Sequence, residues 1–110
     1  MITVPIRTVP GLNVREHWRA RSRRVKAERE AVAWHLKGCA APRLPCSVLL
    51  TRQSPRGRLD DDNLPGSLKA VRDEIAAWLG VDDRHTHIVS YRYAQARGEW
   101  GVRVEFEEAQ

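Results

Sequence analysis

LDDDNLPGSLKAVRDEIAAWLGVDD, residues 59–83, is the stretch whose periodicity decides the fold. Leu64, Leu68, Val71, Ile75, Trp78 and Leu79 recur at helical intervals and stop at Gly80, so this segment reads as one amphipathic helix with a glycine stop. Asn63 stands where an N-cap belongs. Pro65 is tolerated because first-turn amides have no intrahelical acceptor. Acidic residues bracket the helix, with Asp60, Asp61 and Asp62 before it and Asp82 and Asp83 after it.

Upstream, Cys46 to Thr51 (CSVLLT) is short, apolar and preceded by Pro45, which suits a buried strand, and QSPRGR (53–58) then reads as a basic linker. Between about Arg15 and Lys37 the chain is rich in Arg, Ala, Glu and Lys. Val14, Trp18, Val25, Val32 and Leu36 recur there at spacings that make a long amphipathic helix ending at Gly38. Trp18 and Trp34 are expected in the core rather than on a nucleic-acid surface, since tryptophan at helical spacing usually packs inward. Ile2, Val4 and Ile6 alternate with Thr3, Pro5 and Arg7 as a strand, and Pro5, lacking an N–H, sends it to a sheet edge.

Downstream, a strand is expected over about Thr86 to Gln95, with Tyr91 and Tyr93 sharing a face with His87 and Val89. A turn at Ala96 to Glu99 leads into Trp100, Val102, Val104 and Phe106, alternating with polar residues, so the chain is expected to close in an antiparallel hairpin. The order is β-α-β-α-β-β. It predicts an α+β (mixed α/β) single domain over 1–110, a mixed sheet packed by two helices.

Charge is unevenly placed. Residues 1–58 hold 13 Lys and Arg against 3 Asp and Glu, whereas residues 59–110 hold 6 against 11. A basic half favours a polyanion, because each neutralised phosphate releases counterions, while the acidic half repels the same backbone unless a cation intervenes. Cys39 and Cys46 have neither metal-ligand spacing nor an oxidising context. The opening MITVPIRTVP has no basic and apolar leader pattern, and no stretch approaches the ~18 apolar residues of a span, so a cytoplasmic protein without a membrane partner is expected.

Two carboxylates about 4 Å apart repel by ~4 kcal/mol at an effective dielectric of about 20, so converging aspartates need a cation or a proton. The intervening helix would hold the two acidic groups roughly 24 Å apart. They meet only if the flanking segments fold back or a dimer partner supplies one group. A calcium loop starting at Asp61 fails, because Pro65 and Arg72 occupy positions that need oxygen ligands. His85 and His87 are expected to share a strand face, which suits packing or solvent as well as a metal.

The residues Leu59-Asp60-Asp61-Asp62-Asn63-Leu64, then Lys69 with Asp73, then Gly80-Val81-Asp82-Asp83, resemble the signature of the RusA family of Holliday-junction resolvases. Leu12-Asn13 with His17-Trp18-Arg19, the basic loop before the aspartates and the closing hairpin are similar to that family as well. The resemblance implies a RusA-like domain spanning the chain. It also implies a homodimer, and Mg²⁺, with Mn²⁺ as a substitute, held by Asp60, Asp62 and Asp83. It implies a catalytic lysine at Lys69, which follows Asn63 by six positions where the family spacing is three. The added residues are nearly one helical turn, so the lysine keeps its facing. Asp61 and Asp82 are candidates for outer-shell water contacts.

The expected function is a structure-selective endodeoxyribonuclease that resolves four-way DNA junctions by paired nicks. Arg15, Arg19, Arg21, Arg23, Arg24, Arg52, Arg56 and Arg58 would grip the DNA backbone. Two rivals differ in class: a non-catalytic DNA-binding protein of the same fold, and a metal-dependent nuclease acting on other branched DNA or RNA. A phage or prophage setting follows from the resemblance alone.

Overall fold

The computed structural model describes residues 1–9, 17–82, 84 and 87–109. Its first strand, β1 (Ile2–Val4), lies at a sheet edge as Pro5 requires, and buries Val4 completely. Helix α1 (Trp18–Leu36) starts at His17, whose Nδ1 accepts the Arg19 N–H at 3.2 Å, and ends before Gly38, where φ is +86°. Strand β2 (Cys46–Ser54) runs past the expected end at Thr51, so Gln53 and Ser54 belong to the sheet rather than to a linker.

The helix expected over residues 64–79 is interrupted. A single turn, α2 (Leu64–Ser67), carries Pro65 and Gly66, both poor helix formers. The chain leaves helical geometry at Leu68 (φ −109°, ψ 8°), and α3 (Lys69–Leu79) then follows. Asn63 occupies the cap position, but its side chain makes no cap hydrogen bond. Gly80 ends α3 at φ +72°, a left-handed conformation that favours glycine.

Strands β3 (Val89–Arg97) and β4 (Gly101–Glu108) complete a four-stranded mixed sheet of order β1-β4-β2-β3. The expected closing hairpin does not form. β2 lies between β3 and β4, parallel to the former and antiparallel to the latter. The short connection crosses the end of β2, with the Gly98 N–H donating to the Ser54 carbonyl at 3.1 Å. Two inter-strand spacings are ~9.6 Å, a gap that the connection spans when extended, and β2, the most buried strand, gains a partner on both sides.

Register assigns the faces. Val48 opposes Tyr91 and Phe106, Leu50 opposes Tyr93 and Val104, and Arg52 opposes Gln95 and Val102. Directly opposed residues share a face, so this one carries the core, in which Val48, Leu50, Val102 and Val104 meet Val32, Leu36, Leu68, Val71 and Ile75. Both main helices therefore cover this face of the sheet. Trp18 and Trp34 correct the sequence expectation: they are 66% and 71% exposed, because α1 turns only Glu28, Val32 and Leu36 fully inward.

Candidate nucleic-acid interface and acidic turn

At the C-terminal ends of β2 and β3 the helices no longer cover the sheet. The paired register places Arg52 beside Gln95 and Ser54 beside Arg97. The chain leaving β2 folds back over them, and the Ser54 hydroxyl oxygen accepts the Arg56 N–H at 3.0 Å. A groove of about 320 Å³ results, lined by Arg52, Ser54, Arg56, Arg58, Gln95 and Arg97 among others, with no carboxylate in its lining. Burial pushes the Arg52 guanidinium pKa down from its ordinary value.

Gln95 ties this groove to the acidic turn. Its amide accepts the Leu59 N–H and donates to the Leu59 carbonyl, each at 2.9 Å. Asp60 follows directly, and its carbonyl accepts from the amides of Asn63 (2.9 Å) and Leu64 (3.2 Å), which starts α2. Asp60, Asp61 and Asp62 are exposed on this turn. They therefore stand at the carboxyl end of two parallel strands, the edge where open α/β sheets commonly bind ligands.

Lys69 donates to Asp73 Oδ2 at 2.7 Å on the exposed side of α3, and Arg72 Nη2 lies 3.7 Å from Asp73 Oδ1. Beside this pair, the buried Glu28 carboxylate accepts from Arg24 at 2.9 Å. A cavity of about 250 Å³ between α1 and α3 is lined by these four ionic residues, Arg24, Glu28, Lys69 and Asp73, with Arg21.

Asp82 is placed elsewhere, beyond the far end of α3, where its carboxylate accepts from the Arg84 backbone N–H and from Arg84 Nη2, both at 3.1 Å. α3 alone extends ~16 Å, so within one chain Asp82 and the Asp60–Asp62 turn sit at opposite ends of the α2–α3 unit. Asp83, Arg15 and His85 lie outside the described residues. His87 is in an exposed turn ahead of β3 rather than on its face, because the strand begins only at Val89. Among the described residues no group of three His, Cys, Asp or Glu gathers as a metal site.

The donor chemistry of the turn nevertheless suits a hard divalent ion. Asp60 and Asp62 are solvent-facing carboxylates on one tight turn, and neither makes an ion pair with a described residue. They supply two oxygen donors, so a complete site needs a further ligand from outside this turn. Of the arginines expected to grip DNA, Arg52, Arg56 and Arg58 converge in the groove, while Arg19, Arg21, Arg23 and Arg24 belong to α1. Gln95, Arg97, Thr8 and Trp100 were not foreseen, since only the parallel register of β2 with β3 and the crossing into β4 bring them to this end.

Among the described residues no helix is long and apolar enough to cross a membrane. Comparison of the chain with protein-family models, with curated proteins and with solved structures finds no match.

Proposed function

We propose that this chain is a homodimeric, Mg²⁺-dependent endonuclease that resolves branched DNA, in the manner of the RusA family it resembles. The observation that carries the reading is the junction of opposites at one sheet end: the Asp60–Asp62 turn is clamped by Gln95 against an arginine-lined groove. Arginines recruit a phosphodiester backbone, and carboxylates beside it repel that backbone unless a cation joins them.

Asp60 and Asp62 would hold the ion, with Asp83 reaching in from the same chain or from the partner subunit. When bound, the ion supplies charge neutralisation and Lewis acidity at a phosphate oxygen. Asp62, facing solvent, orients a water in line with the scissile phosphorus. As the water oxygen bonds to phosphorus, the bond to the 3′ oxygen breaks, leaving a 5′ phosphate and a 3′ hydroxyl. Lys69, paired with Asp73 on the exposed side of α3, would leave that pair to donate to the phosphoryl oxygens that gain charge. Two-fold symmetry would put two such sites on opposed strands, which suits a four-way junction.

A second reading, a DNA-binding protein without catalysis, is favoured by one observation: Lys69 is held by Asp73 at 2.7 Å, as in an ordinary exposed helical ion pair. One experiment separates the readings. A labelled four-way junction, a linear duplex and a structured RNA are incubated with the protein, with and without Mg²⁺, beside Asp62→Asn. Paired Mg²⁺-dependent nicks in the junction alone, abolished in Asp62→Asn, are expected. Binding without nicks selects the second reading, nicks in RNA or in other substrates select a different nuclease, and a fully active Asp62→Asn removes the site.

A further inference from the structure

Arg52 is a buried cation without a counter-ion. It is 4% exposed, its Nε donates to Thr8 Oγ1 at 2.9 Å, and its Cζ lies 5.4 Å from the centre of the Trp100 ring. Thr8 is itself 2% exposed, so the guanidinium is held from two sides by the neutral groups Thr8 and Trp100, and Arg7 places a second cation 4.9 Å from the same ring. No described Asp or Glu pairs with it. Among the described residues, its Nη groups have no hydrogen-bond acceptor, and they are not among the fully buried unpartnered atoms, so they open to the groove that Arg52 lines.

A desolvated guanidinium is stable where an anion compensates its charge and its remaining N–H groups find acceptors. The groove supplies the setting for one. Ser54 is 2% exposed and its oxygen already accepts the Arg56 N–H, so its own proton is available to an acceptor. Arg97 lies beside Ser54 in register, and Arg56 and Arg58 close the other wall.

We propose that this groove is a phosphate-binding site built on Arg52, in which the Arg52 Nη donors, Arg97 and the Ser54 hydroxyl take the oxygens of one phosphate group of a nucleic-acid strand. A planar guanidinium fixed by Thr8 and Trp100 presents a preformed fork to phosphate oxygens, so the site binds a single phosphate in a defined geometry rather than as diffuse charge. The identity of the phosphate carrier as a DNA strand rests on the nuclease reading. The phosphate site itself stands on Arg52.

The test is calorimetric titration of the full chain with inorganic phosphate in low-salt buffer free of divalent ions. Saturable binding is expected, weakened tenfold or more by Arg52→Lys, which loses the fork, and by Arg97→Gln. Arg43→Gln, at the opposite end of the sheet where Arg43 lies 3.7 Å from Glu108, should leave it unchanged. Circular dichroism checks folding, and if Arg52→Lys unfolds the chain, Arg97→Gln decides. Displacement of phosphate by a short single-stranded oligonucleotide supports the strand as carrier, whereas displacement by a mononucleotide alone overturns that assignment. Absence of saturation, or equal weakening by Arg43→Gln, overturns the site. Phosphate binding without any Mg²⁺-dependent nicking sinks the nuclease reading alone; nicking without phosphate binding sinks this proposal alone.

Discussion

Gln95 and Leu59 meet through both halves of one side-chain amide, an N–H donated each way at 2.9 Å between a strand and a loop 36 residues away. Because Asp60 is the next residue, this clamp fixes where the acidic turn starts relative to the arginine groove. Gln95→Ala removes both bonds and should cost about 1–2 kcal/mol of stability. Amide exchange at Leu59 should accelerate by more than global stability loss explains, and under the proposed nuclease function junction nicking should fall more than junction binding. Unchanged Leu59 protection would refute the clamp.

Trp34 and Leu68 should respond in opposite ways to truncation. Trp34 is 71% exposed and touches Lys37 across its ring at 5.6 Å, so Trp34→Ala should stay within about 0.5 kcal/mol of the parent. Leu68 is wholly buried at the break between α2 and α3, and Leu68→Ala should cost about 2–5 kcal/mol. Urea unfolding curves compare them directly.

Cys46 gives the fold an alkaline weakness. Burial, and secondarily the Glu108 carboxylate, push its thiol pKa above the ordinary value. The folded state therefore keeps its proton where the unfolded chain has lost it, so this contribution is whole below the unfolded thiol pKa of about 8.5 and is lost as pH rises towards the folded value. In Cys46→Ala the decline of stability above pH ~8.5 should be shallower, read from unfolding midpoints between pH 7 and 10, even though the variant starts lower for lack of packing. An identical decline in both proteins would exclude the thiol as its source.

Arg29 and Glu74 form an ion pair that joins α1 to α3, with Nε and Nη2 donating to Oε2 at 3.2 and 3.0 Å. The arginine side chain is 42% exposed, so solvent screens the pair. A double-mutant cycle with Arg29→Met and Glu74→Gln should return a coupling of about 0.3–1 kcal/mol that shrinks as salt is added. A salt-insensitive coupling well above that range would mean the pair organises the helix packing.

The period of the apolar residues was enough to order the elements as β-α-β-α-β-β, to place β1 at an edge through Pro5 and to stop α3 at Gly80, since these depend on local stereochemistry and on which face must leave water. Sequence also marked the acidic run and the basic residues Arg52, Arg56 and Arg58, since residue type alone carries charge, while Asp60, Asp62 and Lys69 were singled out by the resemblance. Tertiary structure alone decided that β2 separates β3 from β4, that Trp18 and Trp34 face solvent, and that Gln95 and Arg97 stand beside Arg52 and Ser54. Strand order and register are long-range choices: several pairings satisfy the same alternation, and only burying all apolar faces at once selects one. For the same reason a helix face rich in arginine leaves its tryptophans outside when Val32 and Leu36 already fill the space against the sheet.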